Sequence, residues 1–189
     1  HGESLSLDLL QEIYEAVLEP VFPCNITQKQ DDVIPAVSFT ERNTAKPRIR
    51  TAHPRVLIPV FPGTNCEYDS AKAVARAGAV PEIVIINTLT PQDIAASVDA
   101  VADAIRRSQA IFIPGGFSGG DEPDGSGKFI TAFFRNAKVK DAVHDLLKNR
   151  DGLICGICNG FQALIKLGLV PYGEMVDVDE NSPTLTFNT

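Results

Sequence analysis

Apolar residues in this chain follow two rhythms, and the rhythms alternate. Leu5, Leu9, Leu10, Ile13, Val17 and Leu18 recur at helical spacing and predict an amphipathic helix over about Leu5–Leu18, capped by Ser4 or Ser6 and stopped by Pro20. The pattern breaks from Val21 to Pro54, where Pro23, Pro35, Pro47 and Pro54 punctuate polar and basic residues; this stretch reads as a linker with one short strand at Val33–Phe39. Beyond it, short apolar runs at Val56–Phe61, Val80–Ile86, Ala110–Pro114 and from Leu153 predict strands. Between them lie helical patterns: Cys66–Ala77, ended by Gly78; Pro91–Arg107, capped by Thr90; Gly127–Asn136; and Val139–Asn149. Strands and helices alternating in this way predict an α/β fold, a parallel sheet covered on both faces. The predicted division is a helix and linker over 1–54 and a main domain over 55–189. Pro171–Thr189 reads as a connection or edge strand, ending in the strand-like run Thr184–Thr189.

One junction between the rhythms is unusual. The strand-like Leu153-Ile154-Cys155 runs into Gly156-Ile157-Cys158-Asn159-Gly160, and a helical pattern with Phe161, Leu164, Ile165 and Leu167 follows at once. A Gly-x-Cys-x-Gly turn between strand and helix is the layout of a nucleophile elbow, with cysteine in place of serine. So tight a turn leaves little room for a Cβ two residues before or after the nucleophile, hence Gly156 and Gly160. It places Cys158 at the N-terminus of the following helix, where the helix dipole favours a thiolate. In doubly wound sheets, sites form at the carboxyl ends of the strands. Three turns gather there: Pro62–Asn65, Gly115–Asp121 and Gly156–Gly160.

Composition narrows the field. A net charge of −7 and no basic cluster with interleaved aromatics argue against nucleic acid as a partner. No apolar run reaches the length of a bilayer span, so a membrane is not expected either. Four cysteines without the dense spacing of a secreted disulfide framework point to a cytoplasmic setting.

Each candidate also has a plainer reading. Cys158 is either a nucleophile or a small buried core residue. With Cys155 it forms Cys-x-x-Cys, a redox pair or half a zinc site, yet Cys155 falls within the strand and His1, His53 and His144 supply no second metal-ligand pair. The Gly115-Gly116 turn offers backbone N–H groups that, with that of Asn159, suit an oxyanion hole; its plainer role is chain reversal. Gln162 is a solvated helix residue or a substrate contact. Cys66 lies near a helix start but lacks paired glycines, so it is set aside as a decoy. His144 faces away from the apolar stripe Val139, Val143, Leu146 and Leu147 and reads as a solvated surface histidine. No histidine follows Cys158, although a cysteine nucleophile needs an imidazole to move its proton.

Three stretches together carry a resemblance: Pro59–Cys66, Ile113–Asp121 and Gly156–Gln162, joined by Leu185-Thr186-Phe187-Asn188. They resemble the glutaminase domain of phosphoribosylformylglycinamidine synthase, a class I (triad) glutamine amidotransferase of flavodoxin-like fold. The resemblance implies that Cys158 attacks the carboxamide of L-glutamine to release ammonia through a thioester. Gly115, Gly116 and Asn159 would form the oxyanion hole, and Gln162, Asn65 and Phe117 would contact glutamine. It places the triad histidine and glutamate beyond Thr189, so little glutaminase activity is expected of this chain alone. No cofactor is implied for these residues. ATP and magnesium belong to the synthetase part of the parent enzyme, the partner that receives the ammonia and whose end would be residues 1–54. The alternative is a flavodoxin-like redox-sensing or non-catalytic regulatory module.

Overall fold

The computed structural model describes residues 4–17, 49–120 and 127–185, together with 36, 38, 40, 41, 44 and 46. The chain divides into two units, one of residues 1–44 with 187–189 and one of residues 45–186. In the first, helix α1 spans Leu7–Ala16, and the Ser6 hydroxyl accepts the Leu9 N–H at 3.0 Å as its N-cap. The Val33–Phe39 strand lies for the most part outside the described residues, as do Pro20 and the end of the Thr184–Thr189 run.

The second unit is built on four parallel strands: β1 (Arg55–Val60), β2 (Val80–Ile85), β3 (Ala110–Ile113) and β4 (Leu153–Gly156), ordered β2-β1-β3-β4. This is the flavodoxin-like order, and its reversal falls between β1 and β3. Helix α2 (Glu67–Arg76) joins β1 to β2, and α3 (Pro91–Arg107) joins β2 to β3. Helices α4 (Lys128–Phe134) and α5 (Ala137–Lys148) lead to β4, and α6 (Asn159–Lys166) and the short α7 (Leu169–Tyr172) follow it. Because parallel crossovers are right-handed, the reversal places α2 on one face and α3 to α5 on the other.

Local chemistry sets the boundaries. Thr90 and Asp93 form a capping box at the start of α3: the Thr90 hydroxyl accepts the Asp93 N–H at 3.1 Å, and the Asp93 carboxylate accepts the Thr90 N–H at 3.0 Å. Arg150, held by Asp145 at 2.8 Å, donates to the carbonyls of Ile105, Arg106 and Ser108 and so closes the end of α3 just before β4.

The core lies on the α3–α5 face, where Leu57, Ile111 and Ile113 meet Val101, Ile105, Phe134, Val139, Val143, Leu146 and Leu164. The opposite face differs from expectation. At β4 it carries Leu153, 71% exposed, and an exposed Cys155, whereas the apolar run predicted a strand covered on both sides. Helix α2 packs on β1 and β2, and no described element buries these two β4 side chains. No strand forms among residues 171–185; α7 occupies the first of them instead.

Candidate active site

The elbow is formed as the glycine spacing requires. A Cβ on Gly156 would lie 2.5 Å from the Gly160 carbonyl carbon, and one on Gly160 would lie 2.3 Å from the Ile113 carbonyl oxygen. Both are impossible contacts, so only glycine lets α6 start directly over β3 and β4. Cys158 between them has φ 52° and ψ −111°, a conformation that costs a side-chain-bearing residue roughly 1–3 kcal/mol. Its neighbours hold it there: Ile157 N–H donates to Ile113 O at 3.1 Å, Gly160 N–H to Ile157 O at 2.9 Å and Gln162 N–H to Cys158 O at 2.9 Å.

Two further loops meet this turn. Phe61, 2% exposed, directly follows β1 and packs edge-on against Phe129 and Phe133 with ring centroids 5.9 and 5.4 Å away, which anchors the loop it opens. That loop pairs with the loop after β3: Asn65 N–H donates to Gly115 O and Phe117 N–H to Gly63 O, both at 2.9 Å. At Gly116, φ is +123° and a Cβ would lie 2.3 Å from Gly63 O, so this close pairing requires glycine. Gly115 packs on the elbow, since a Cβ there would sit 3.2 Å from the Cys158 Cβ.

The three loops, with α2 and β3, border a half-open cavity of about 330 Å³ lined by Asn65, Cys66, Ser70, Phe112, Pro114, Gly115, Gly116, Phe117, Ile157 and Cys158. Of the residues singled out from sequence, Cys158, Gly115, Gly116, Asn65 and Phe117 line it, with Phe117 69% exposed at its mouth. Asn159 and Gln162 are not among the lining residues. The Asn159 side chain is buried, accepts the Ser118 N–H at 3.3 Å and donates to Gln162 Oε1 at 3.4 Å, bracing the Gly115–Ser118 loop against α6. Cys66, set aside as a nucleophile for want of paired glycines, is placed at φ 66° at the N-cap of α2 and lines the same cavity as Cys158. Its signal was position, one step past a β1 turn that meets the elbow at the sheet's switch point.

The comparisons with known proteins bear on the family of the chain. A family profile described as a CobB/CobQ-like glutamine amidotransferase domain matches residues 53–189. The chain belongs to this amidotransferase family. Among its curated relatives, the phosphoribosylformylglycinamidine synthase subunit PurQ of Methanococcus maripaludis (strain C5) is 41% identical over 135 residues, which is 67% of this chain and 45% of the relative. The subunit of the same name from Dehalococcoides mccartyi is 34% identical over 132 residues, 68% of this chain and 47% of the relative. A solved structure of PurLQS from Thermotoga maritima is 30% identical, covers 62% of this chain and 45% of its own, and superposes with a TM-score of 0.43. The chain spans about half the length of the curated relatives it matches.

In this amidotransferase domain no histidine is among the residues lining the cavity. His144 is half-buried rather than solvated, because the chain returns to it after α7: its Nε2 accepts the Met175 N–H at 3.1 Å. Burial, with Lys148 and Lys140 nearby, lowers its pKa. Glu174, paired with Lys148, has its own pKa lowered by that hydrogen bond and charge. Among the described residues, no group of three or more His, Cys, Asp or Glu side chains stands together as a metal site. None of their helices is long and apolar enough to cross a membrane.

Proposed function

We propose that this chain is the glutaminase part of a phosphoribosylformylglycinamidine synthase, supplying ammonia for the ATP-dependent conversion of formylglycinamide ribonucleotide to its amidine in purine biosynthesis. The observation that carries the reading is the strained, glycine-flanked Cys158 opening into a cavity walled by Gly115, Gly116, Asn65 and Phe117. In this reading the Cys158 thiolate attacks the side-chain carbonyl carbon of glutamine. The negative charge on the oxygen is met by the Gly116 and Asn159 N–H groups, with Gly115 shaping the turn, and each donor of this kind is worth roughly 10²–10³ in rate. The C–N bond breaks, ammonia leaves with an added proton, and water hydrolyses the γ-glutamyl thioester to glutamate. Asn65, Phe117 and Gln162 position the substrate.

Removing the Cys158 proton needs a base and protonating the leaving ammonia needs an acid, and among the described residues no imidazole or carboxylate lines the cavity to serve as either. The 189-residue chain by itself therefore has little glutaminase turnover. The ATP chemistry, with its magnesium, is assigned to a synthetase partner and no step of it to these residues. Residues 1–54 are assigned to the end of that synthetase region and its linker, and 55–189 to the amidotransferase.

Glutamate release from glutamine, by this chain and by the longer protein that carries the same domain with its synthetase half, tests the reading. The expected result is turnover in the longer protein, loss of it on Cys158→Ser, and near-background rates for the 189-residue chain. Turnover that survives Cys158→Ser would overturn the assignment.

A further inference from the structure

Glutamine hydrolysis as proposed uses one thiol, yet the cavity holds two. Cys66 comes from the loop after β1 and Cys158 from the turn after β4, and both line the same space of about 330 Å³. The two loops are tied through a single glycine. Asn65, next to Cys66, donates its N–H to Gly115 O at 2.9 Å, and a Cβ on Gly115 would lie 3.9 Å from the Cys158 sulfur. Both cysteines are exposed, and each occupies a helix N-cap without a side-chain capping hydrogen bond, so turning either thiol into the cavity gives up no such bond. Cys155, three residues before the elbow, is exposed but is not among the cavity's lining residues.

We propose that Cys66 is the resolving thiol of a redox-sensitive glutamine site: on exposure to a hydroperoxide it forms a disulfide with Cys158 and switches the nucleophile off reversibly. This rests on the reading of Cys158 as the nucleophile. In the first step the Cys158 thiolate attacks a peroxide oxygen; the O–O bond breaks, hydroxide leaves, and Cys158 becomes a sulfenic acid. In the second, the Cys66 sulfur attacks the Cys158 sulfur; the S–S bond forms as the S–O bond breaks, and water leaves with the Cys66 proton. The two cysteines lose two electrons and the peroxide gains them, and a dithiol reductant reverses the change. Capture by Cys66 also spares Cys158 from further, irreversible oxidation to the sulfinic acid.

A disulfide needs its Cα atoms within about 7 Å, and cross-linking reads directly whether the two loops meet that span. The chain is treated with hydrogen peroxide, with and without excess glutamine, then mapped by non-reducing mass spectrometry. The expected result is the loss of two hydrogen atoms, a peptide joining Cys66 to Cys158, slower formation with glutamine present, and reversal by dithiothreitol. In Cys66→Ser, Cys158 instead gains oxygen that dithiothreitol does not remove. Equal oxygen uptake at Cys158 in both proteins, with no cross-link in the unmodified chain, would overturn the proposal; so would a Cys158 bridge to Cys155 or Cys24. Alkylation of untreated Cys158 by a glutamine analogue reads the nucleophile assignment separately. If that succeeds while cross-linking fails, only the redox role is lost.

Discussion

Strain at one residue is what the elbow sequence encodes. Cys158 takes a backbone conformation that favours glycine, and Gly156 and Gly160 give up their Cβ atoms so that it can. Gly160→Ala would push a methyl group to 2.3 Å from Ile113 O and should destabilise the domain by about 1–3 kcal/mol. Thermal denaturation reads this as a fall in Tm of roughly 2–4 °C per kcal/mol for a chain of this size. An unchanged Tm would mean that α6 does not start as described. The elbow was legible because its constraint is local, with five consecutive residues carrying the whole pattern. The place of Cys66 was legible only in outline, from the Pro62–Asn65 turn before it. What brings Cys66 to the cavity is the adjacency of β1 and β3 across the switch point, a property of strand order.

Helices and strands were for the most part readable from spacing and end signals. Thr90 and Pro91 fixed the start of α3, and Gly78 lies just past the end of α2. What spacing leaves out is a later segment folding back, as His144 shows. Helical period placed it off the apolar stripe of α5, yet the turn after α7 brings the Met175 N–H onto its Nε2. That bond requires a neutral imidazole. The folded-state pKa lies below the ordinary 6.5, so the unfolded chain binds the proton more readily. The contribution is therefore complete above about pH 6.5 and is lost as pH falls below it towards the folded value. The charged groups that act on the imidazole are Lys148 and Lys140, which lower its pKa, and Glu174 and Asp141, which raise it. Urea unfolding from pH 8 to 5 should show stability declining in that window. His144→Gln, which can offer an oxygen acceptor without a titration, should flatten the decline. The same slope in His144→Gln would assign it to other groups.

At the scale of the molecule, the sequence predicted a sheet buried on both faces, and the structure buries β4 on one. The apolar residues of β4 implied cover that no described residue supplies for Leu153, and periodicity cannot say where cover comes from. The contrast is measurable within the sheet. Ile111→Ala, on the core face and 1% exposed, should cost about 2–5 kcal/mol. Leu153→Ala should stay within about 0.5 kcal/mol. A comparable loss at Leu153 would show that its face is covered in solution. The whole-molecule claim is functional, however: we propose that the cavity beside Cys158 takes glutamine and that Cys158 is its nucleophile. The most direct test is intact mass and peptide mapping after exposure to a diazoketone analogue of glutamine, with and without excess glutamine. The account predicts labelling confined to Cys158 and blocked by glutamine. Labelling that falls on Cys66, or that glutamine leaves unchanged, would contradict it.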